Sequence, residues 1–179
     1  MKKPTQKIKS LTILAMLVAL NLVLSYVIKL PTPTGFISLV EVGIFLAAWL
    51  RGPKAGAIVG ATTGGLLDML SGYPQWLIFS ALIHGSEGWC LGHAKPTPTS
   101  RLVYSFLGGV IMVIGYWLVG GLLLWLASPA LSWLGALKTA SVEVPLNSAQ
   151  VIIGGLVATL IQPFIKVQKM EKESYDFDK

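Results

Sequence analysis

"RLVYSFLGGVIMVIGYWLVGGLLLWLAS", residues 101–128, decides how the rest of the chain is read. After Arg101 the run carries no charged residue, and none follows before Lys138. A helix needs roughly 20 apolar residues to cross the hydrocarbon core of a bilayer, and this run exceeds that length. The flanking sequence implies the same solvent. Hydrophobic residues make up 54% of the 179-residue chain and charged residues 12%, with a mean hydropathy of +0.69. Soluble domains carry about 25% charged residues. Between Lys9 and Arg51 the only charges are Lys29 and Glu41, and between Lys54 and Lys95 only Asp68 and Glu87. The composition predicts an all-α, multi-pass membrane protein.

Six segments read as spans: 8–28, 37–51, 54–72, 75–93, 101–128 and 143–166. The breaks fall at "KLPTPTG" (29–35), "RGPK" (51–54), "SGYP" (71–74), "KPTPTS" (95–100) and around Pro129, where Pro and Gly punctuate the pattern. The second span is short and needs a thinned bilayer or supporting neighbours. The first run is too long for a signal peptide and lacks a convincing cleavage site, so it is expected to stay as a span. Residues 1–170 form one six-helix bundle on this reading, and 171–179 a charged cytoplasmic tail.

Basic residues set the orientation. With six spans, both termini and the loops near residues 52 and 97 share one side, which holds twelve of the Lys and Arg residues. The other side holds Lys29 and Lys138. Cytoplasmic loops carry the excess of Lys and Arg, so both termini are expected in the cytoplasm. The net charge of +6 then requires no nucleic-acid partner.

Several chemistries are disfavoured. Cys90 is the single cysteine, which excludes an internal disulfide and a cysteine-based metal cluster. His84 and His93 are nine residues apart with no HExxH pattern, so neither a metal site nor another cofactor is expected. No GxxxxGK[ST] sequence occurs, so the chain has no P-loop of its own.

Small residues recur every fourth position. Ala15 and Ala19 do so in the first span; Gly56, Gly60 and Gly64 form one ridge of the third, with Ala57, Ala61 and Gly65 beside it; Gly154 and Ala158 do so in the sixth. Such stripes let backbones approach closely in lipid. The third span's ridges are expected to pack internally, whereas the Ala15–Ala19 stripe suits either another helix of the chain or another protein.

Polar residues within the spans gather towards one end. Glu41 follows entry of the second span from outside, Asp68 precedes exit of the third, and Glu143, Asn147 and Gln150 open the sixth. His84 lies nine residues past Gln75, near the midplane at about 1.5 Å per residue. Ionisable groups at such depth usually face the bundle interior. His84 and Glu87 are three apart, on one helix face, as a satisfied internal pair or as part of a ligand site. Glu41 and Lys29 could neutralise one another, Asp68 could tie the following loop, and Asn147 and Gln150 could bond neighbouring helices. Trp76 and Trp133 suit the interfacial aromatic belt, with Trp117 and Trp125 nearby in sequence. Together these groups suit a small, flat, polar heterocycle. An intramembrane enzyme using Asp68, His84 and Glu87, or a scaffold subunit, are the alternatives.

The order "AMLVA", "LPTPTG", "LAAWLRGPKAGAIVGATTGGLLDMLSGYPQW", "ALIHGSEGWCLGHA" resembles the substrate-binding S components of energy-coupling factor (ECF) vitamin transporters over nearly the whole chain. "VPLNSAQVIIGG" also resembles a family stretch, one that often has an aromatic residue just before the asparagine; here that residue is Leu146. The resemblance implies a non-enzymatic subunit that captures a vitamin or precursor at the outer face and joins a transmembrane coupling (T) subunit and two ATPase (A) subunits. The expected substrate contacts are the polar residues His84, Glu87, Glu41, Asn147 and Gln150 together with Trp125; the resemblance implies a place in the bacterial cell membrane, a mobile first loop whose residues Pro33, Thr34 and Gly35 form a lid, and docking of the coupling subunit on Ala15 and Ala19. Hydroxymethylpyrimidine, a thiamine precursor, is the favoured substrate, with pyridoxine next.

Overall fold

The computed structural model describes residues 4–32 and 35–165. The lid residues Pro33 and Thr34 and the tail 171–179 lie outside the described residues. The chain runs through α1 (Pro4–Val27), β1 (Lys29–Pro31), β2 (Phe36–Ser38), α2 (Val40–Arg51), α3 (Pro53–Ser71), α4 (Leu77–Leu91), α5 (Pro98–Ala127), α6 (Trp133–Ala140) and α7 (Glu143–Ile161).

Helix ends follow local chemistry. Gly52 (φ 83°) turns the chain between α2 and α3, and Pro53 opens α3, where its missing N–H is no loss. Gly72 (φ 86°) closes α3 in the left-handed conformation, its N–H donating to the Asp68 and Met69 carbonyls. Thr97 caps α5 by accepting from the Ser100 N–H, and Ser132 caps α6 by accepting from the Gly135 N–H. The α2 N-terminus is held from a distance. Asn21 of α1 is buried, donates to the Val40 carbonyl at 2.9 Å and accepts from the Gly43 N–H at 3.2 Å. One asparagine thus satisfies an orphan helix-terminal donor and fixes α1 against α2.

The core is built around α2, whose residues Val40–Val42 and Ile44–Ala48 are buried. It packs on α1, α3, α4 and α7, and a helix apolar on all sides belongs inside a bundle. Phe45 and Ile44 meet Leu91 of α4 and Met112 of α5 in one apolar cluster. The α3–α4 interface uses both small-residue ridges. Gly56 lies against the Gly88 backbone, Gly60 against the His84 carbonyl and Gly64 against the His84 ring, while Ala61 meets Gly85. The exterior is apolar: Leu102 and Phe106 of α5, and Ile152 and Leu160 of α7, are exposed. A water-soluble monomer rarely shows so much contiguous apolar surface.

The structure differs from the sequence expectations at three places. The first loop is an antiparallel hairpin pairing Lys29 with Ser38, Leu30 with Ile37 and Pro31 with Phe36, so the second span begins at Val40 rather than 37. Pro74–Trp76 forms a 3-10 turn before α4. The Pro129 break contains an eight-residue helix, α6, too short to show an apolar repeat. Among the described residues, α1, α5 and α7 are long and apolar enough to cross a bilayer. The central helices α2 and α4 are shorter, with 12 and 15 residues.

A candidate binding cavity

The hairpin, the turn before α4, and helices α3 to α7 enclose a cavity of about 340 Å³. Thr32, Gly35, Phe36 and Ser38 come from the hairpin; Tyr73, Gln75 and Trp76 come from the turn. His84 stands at the base, Tyr116 on the α5 wall, and Asn147 and Gln150 on the α7 wall. Three aromatic rings converge there. Tyr116 lies 5.4 Å from both the Trp76 and the His84 ring centroids. Phe36 lies 5.6 Å from Tyr73, whose hydroxyl donates to the Gly35 carbonyl at 3.5 Å.

His84 is the hub of the polar groups because α4 points its imidazole between α2, α5 and the cavity. Nδ1 lies 3.0 Å from Glu87 Oε2 and 3.6 Å from Glu41 Oε1, and Nε2 lies 3.0 Å from the Tyr116 hydroxyl. The Tyr116 proton goes to Ser80 Oγ, which leaves the Tyr116 oxygen to accept from Nε2–H, while Nδ1 shares a hydrogen bond with the Glu87 carboxyl group. The Tyr116 and Ser80 hydroxyls are 2.7 Å apart, extending the chain of hydrogen bonds along α4. Gln150 provides the link to the roof. Its Oε1 accepts from the Ser38 N–H at 2.7 Å and its Nε2 donates to Glu41 Oε1 at 3.1 Å. Buried polar groups must find such partners, and one amide here serves a strand and a carboxylate together.

The anticipated residues divide into three groups. His84, Asn147, Gln150 and Gly35 line the cavity. Glu41 and Glu87 are fully buried behind His84 and do not line it. Trp125 is not on the lining; it is half-exposed on the outer surface and stands edge-on to Trp133 at 6.1 Å. Ala15 and Ala19 are exposed, while the adjacent Leu14 and Val18 are buried against Ala47, Ala55 and Val59. The small stripe of α1 therefore faces away from its own chain. Leu146 is absent from the lining. Lys29 donates to Ser71 Oγ at 3.1 Å and sits over the Tyr26 and Phe36 rings, a different role from the neutralisation of Glu41 considered from sequence.

Some lining residues were not anticipated as contacts. Trp76 faces the cavity rather than serving only as a belt aromatic, and Asp68, buried at the end of α3, also lines it. Tyr116 carries no local signal, since it lies inside the uniformly apolar run of α5. Trp117, one residue on, donates to the Leu137 carbonyl and Ser141 Oγ, pinning α6 to α5. No motif with metal-ligand spacing exists, yet the fold brings ligand atoms of Glu41, His84 and Glu87 within 4.8 Å of one another. That set could hold a cation.

The family model for the ECF-type riboflavin transporter S component matches residues 5–166. The chain is 32% identical over 165 residues to the thiamine precursor transporter HmpT of Lactococcus lactis subsp. cremoris (strain MG1363), covering 90% of each chain. It is also 35% identical over 92 residues to an uncharacterized protein in a gap 3' region of Pyrococcus woesei, covering 50% of this chain and 62% of that protein.

Proposed function

This chain belongs to the S-component family of ECF-type transporters, and from that membership we propose that it captures a small vitamin precursor at the outer face of the membrane. As a family member it is a multi-pass cell-membrane transporter subunit and not an enzyme. The proposed substrate is hydroxymethylpyrimidine, with pyridoxine next. Both are flat nitrogen heterocycles bearing hydroxymethyl groups, which need aromatic faces and a few directed polar atoms. The observation that carries the reading is the cavity itself, where Trp76 and Tyr116 supply rings and Asp68, His84, Asn147 and Gln150 supply polar groups. A ligand pocket of this kind is mostly apolar with few converging polar groups. The name of the Lactococcus relative points to the same substrate class.

The β1–β2 hairpin, with Gly35 at its tip, acts as the lid over the captured molecule. Uptake is driven by a T subunit and two A subunits, which supply the ATPase that this chain's sequence lacks. The exposed Ala15 and Ala19 of α1 form the docking stripe for the coupling subunit. Helices α1, α2, α3, α4, α5 and α7 make six crossings, and the basic residues favour both termini in the cytoplasm.

Mass spectrometry of small molecules co-purifying with the detergent-solubilised protein tests the reading, followed by titration with hydroxymethylpyrimidine, pyridoxine and riboflavin. Saturable binding of the pyrimidine in preference to the other two is expected. A retained riboflavin would reassign the substrate. An empty preparation that binds none of the three would favour a scaffold subunit instead.

A further inference from the structure

Two acidic side chains behind the cavity take no part in lining it. Glu41 of α2 and Glu87 of α4 are both 0% exposed. His84 Nδ1 lies 3.6 Å from Glu41 Oε1 and 3.0 Å from Glu87 Oε2. One ligand atom of each of the three residues is within 4.8 Å of the other two. The second oxygens, Glu41 Oε2 and Glu87 Oε1, are buried and receive no hydrogen bond from any described donor. A buried acceptor left unmade is costly, the more so when charged. Neither side chain is free to swing away to water. A methyl group at Gly154 would overlap the Glu41 Cβ, and one at Gly108 would reach Glu87 Cγ at 3.5 Å, so α7 and α5 close over them.

We propose that Glu41, His84 and Glu87 form a binding site for one divalent transition-metal ion, which ties α2 to α4 beneath the cavity. The Tyr116 hydroxyl gives its proton to Ser80 at 2.7 Å and accepts from His84 Nε2–H at 3.0 Å. A neutral imidazole held this way keeps a lone pair on Nδ1, and that lone pair is aimed at two carboxyl groups. Buried charges are paired or coordinate metals. A divalent ion at the centre neutralises both carboxylates and accepts the Nδ1 lone pair, so the ion and its three ligands carry no net charge. The spacing fits. Two atoms bound to one ion at about 2.0–2.2 Å in tetrahedral geometry lie roughly 3.3–3.6 Å apart, and the separations from Nδ1 are 3.0 and 3.6 Å. A small inward turn of the carboxylates closes the shell, with an unmade oxygen of either as the fourth ligand. The ion replaces the proton that Nδ1 and Glu87 share, as metals release protons from their ligands.

The outer contacts that orient metal ligands are in place. A metal-bound histidine almost always donates its other ring N–H to a fixed partner, and Tyr116 is that partner here. Gln150 Nε2 does the same for Glu41, donating to Oε1 at 3.1 Å. The donor set selects the ion. One imidazole with two carboxylates and no thiolate suits zinc(II) and its borderline neighbours, whereas magnesium and calcium prefer shells of oxygen alone. Entry is through the cavity, since His84 and Gln150 both line it and both touch the acidic pair. Glu41 and Glu87 do not line it, so the ion fixes the base of the cavity without contacting the captured molecule. The site stands whichever small molecule that is.

Zinc(II) is the probe, because it binds such a site more tightly than manganese or iron and its failure therefore speaks for them too. Full-length, tag-free protein in detergent is stripped with a chelator, reloaded with zinc, desalted and subjected to elemental analysis, with affinity read by chelator competition. One zinc per chain is expected in the wild type. Glu41→Gln and Glu87→Gln should each weaken zinc by at least the roughly 10- to 100-fold that losing an outer partner costs, while Asp68→Asn should retain it. X-ray absorption at the zinc edge of the wild type keeps the assignment testable if a glutamine variant fails to fold. It should show nitrogen and oxygen neighbours at about 2.0–2.2 Å, one imidazole among them and no sulfur. A wild type that holds no stoichiometric zinc would overturn the proposal, as would undiminished affinity in both folded glutamine variants or loss of the ion in Asp68→Asn. A sulfur neighbour would move the ion to Cys90 and overturn it as well.

Discussion

Replacing Gln150 with methionine should loosen the hairpin while leaving the helix bundle assembled. Methionine has a similar length and keeps the packing, but it can neither accept from Ser38 nor donate to Glu41. The Ser38 N–H, buried and bonded at 2.7 Å, would be left without its acceptor as long as β2 stays docked. An unsatisfied buried group costs about 1–3 kcal/mol. The strand can avoid that cost by lifting into water, so the whole of it bears on the docked–undocked equilibrium. A shift of this size corresponds to about a 5- to 150-fold change. If the docked hairpin is the binding-competent state, apparent ligand affinity falls by up to the same factor. Hydrogen exchange followed by mass spectrometry on peptides covering residues 29–38, alongside titration with hydroxymethylpyrimidine, measures both quantities. Faster exchange confined to this segment is expected, with α3 and α4 peptides unchanged. Unaltered hairpin exchange in a folded Gln150→Met protein would refute the view that this amide holds the roof.

Further substitutions separate packing, capture and docking. Gly60→Ala places a methyl group on the His84 backbone carbonyl, so α3 and α4 must part at a cost of about 1–3 kcal/mol. Gly120→Ala meets the Ala140 and Trp76 side chains at an ordinary 3.6 and 3.7 Å, and thermal unfolding in detergent should distinguish the two. His84→Ala should weaken pyrimidine binding by roughly 0.5–1.5 kcal/mol for one lost hydrogen bond, whereas Trp125→Ala, outside the cavity, should leave calorimetric affinity unchanged. Ala15→Trp should keep ligand affinity, because that side chain is exposed, yet abolish co-purification with the coupling subunit; lost affinity with an intact complex would reverse the docking assignment.

Much of this protein is legible along the chain because lipid is a simple solvent. A charge-free run such as 102–128 has one stable way to satisfy its backbone in hydrocarbon, which is a helix. Glycines at every fourth position mark where two helices can touch, and Gly56, Gly60 and Gly64 do meet α4. His84 and Glu87 announce their pairing by a spacing of three on one helix. These are properties of period and composition, and the sequence by itself determined them, together with the family.

Tertiary structure decided which polar groups meet the cavity. Tyr116 and Trp125 lie on the same helix, nine residues apart, in surroundings equally apolar, yet one lines the cavity and the other faces outward. Nothing local distinguishes them, because the rotation of a wholly apolar helix is set by what its neighbours leave open. Glu41 and Gln150 are 109 positions apart, and their pairing exists only once α2 and α7 pack. The hairpin likewise escaped the sequence reading, since three-residue strands are too short for an alternating pattern and are held by Gln150 from the far end of the chain. A residue's direction along its own helix follows from spacing, but its partner across the bundle follows from the summed packing of all the helices.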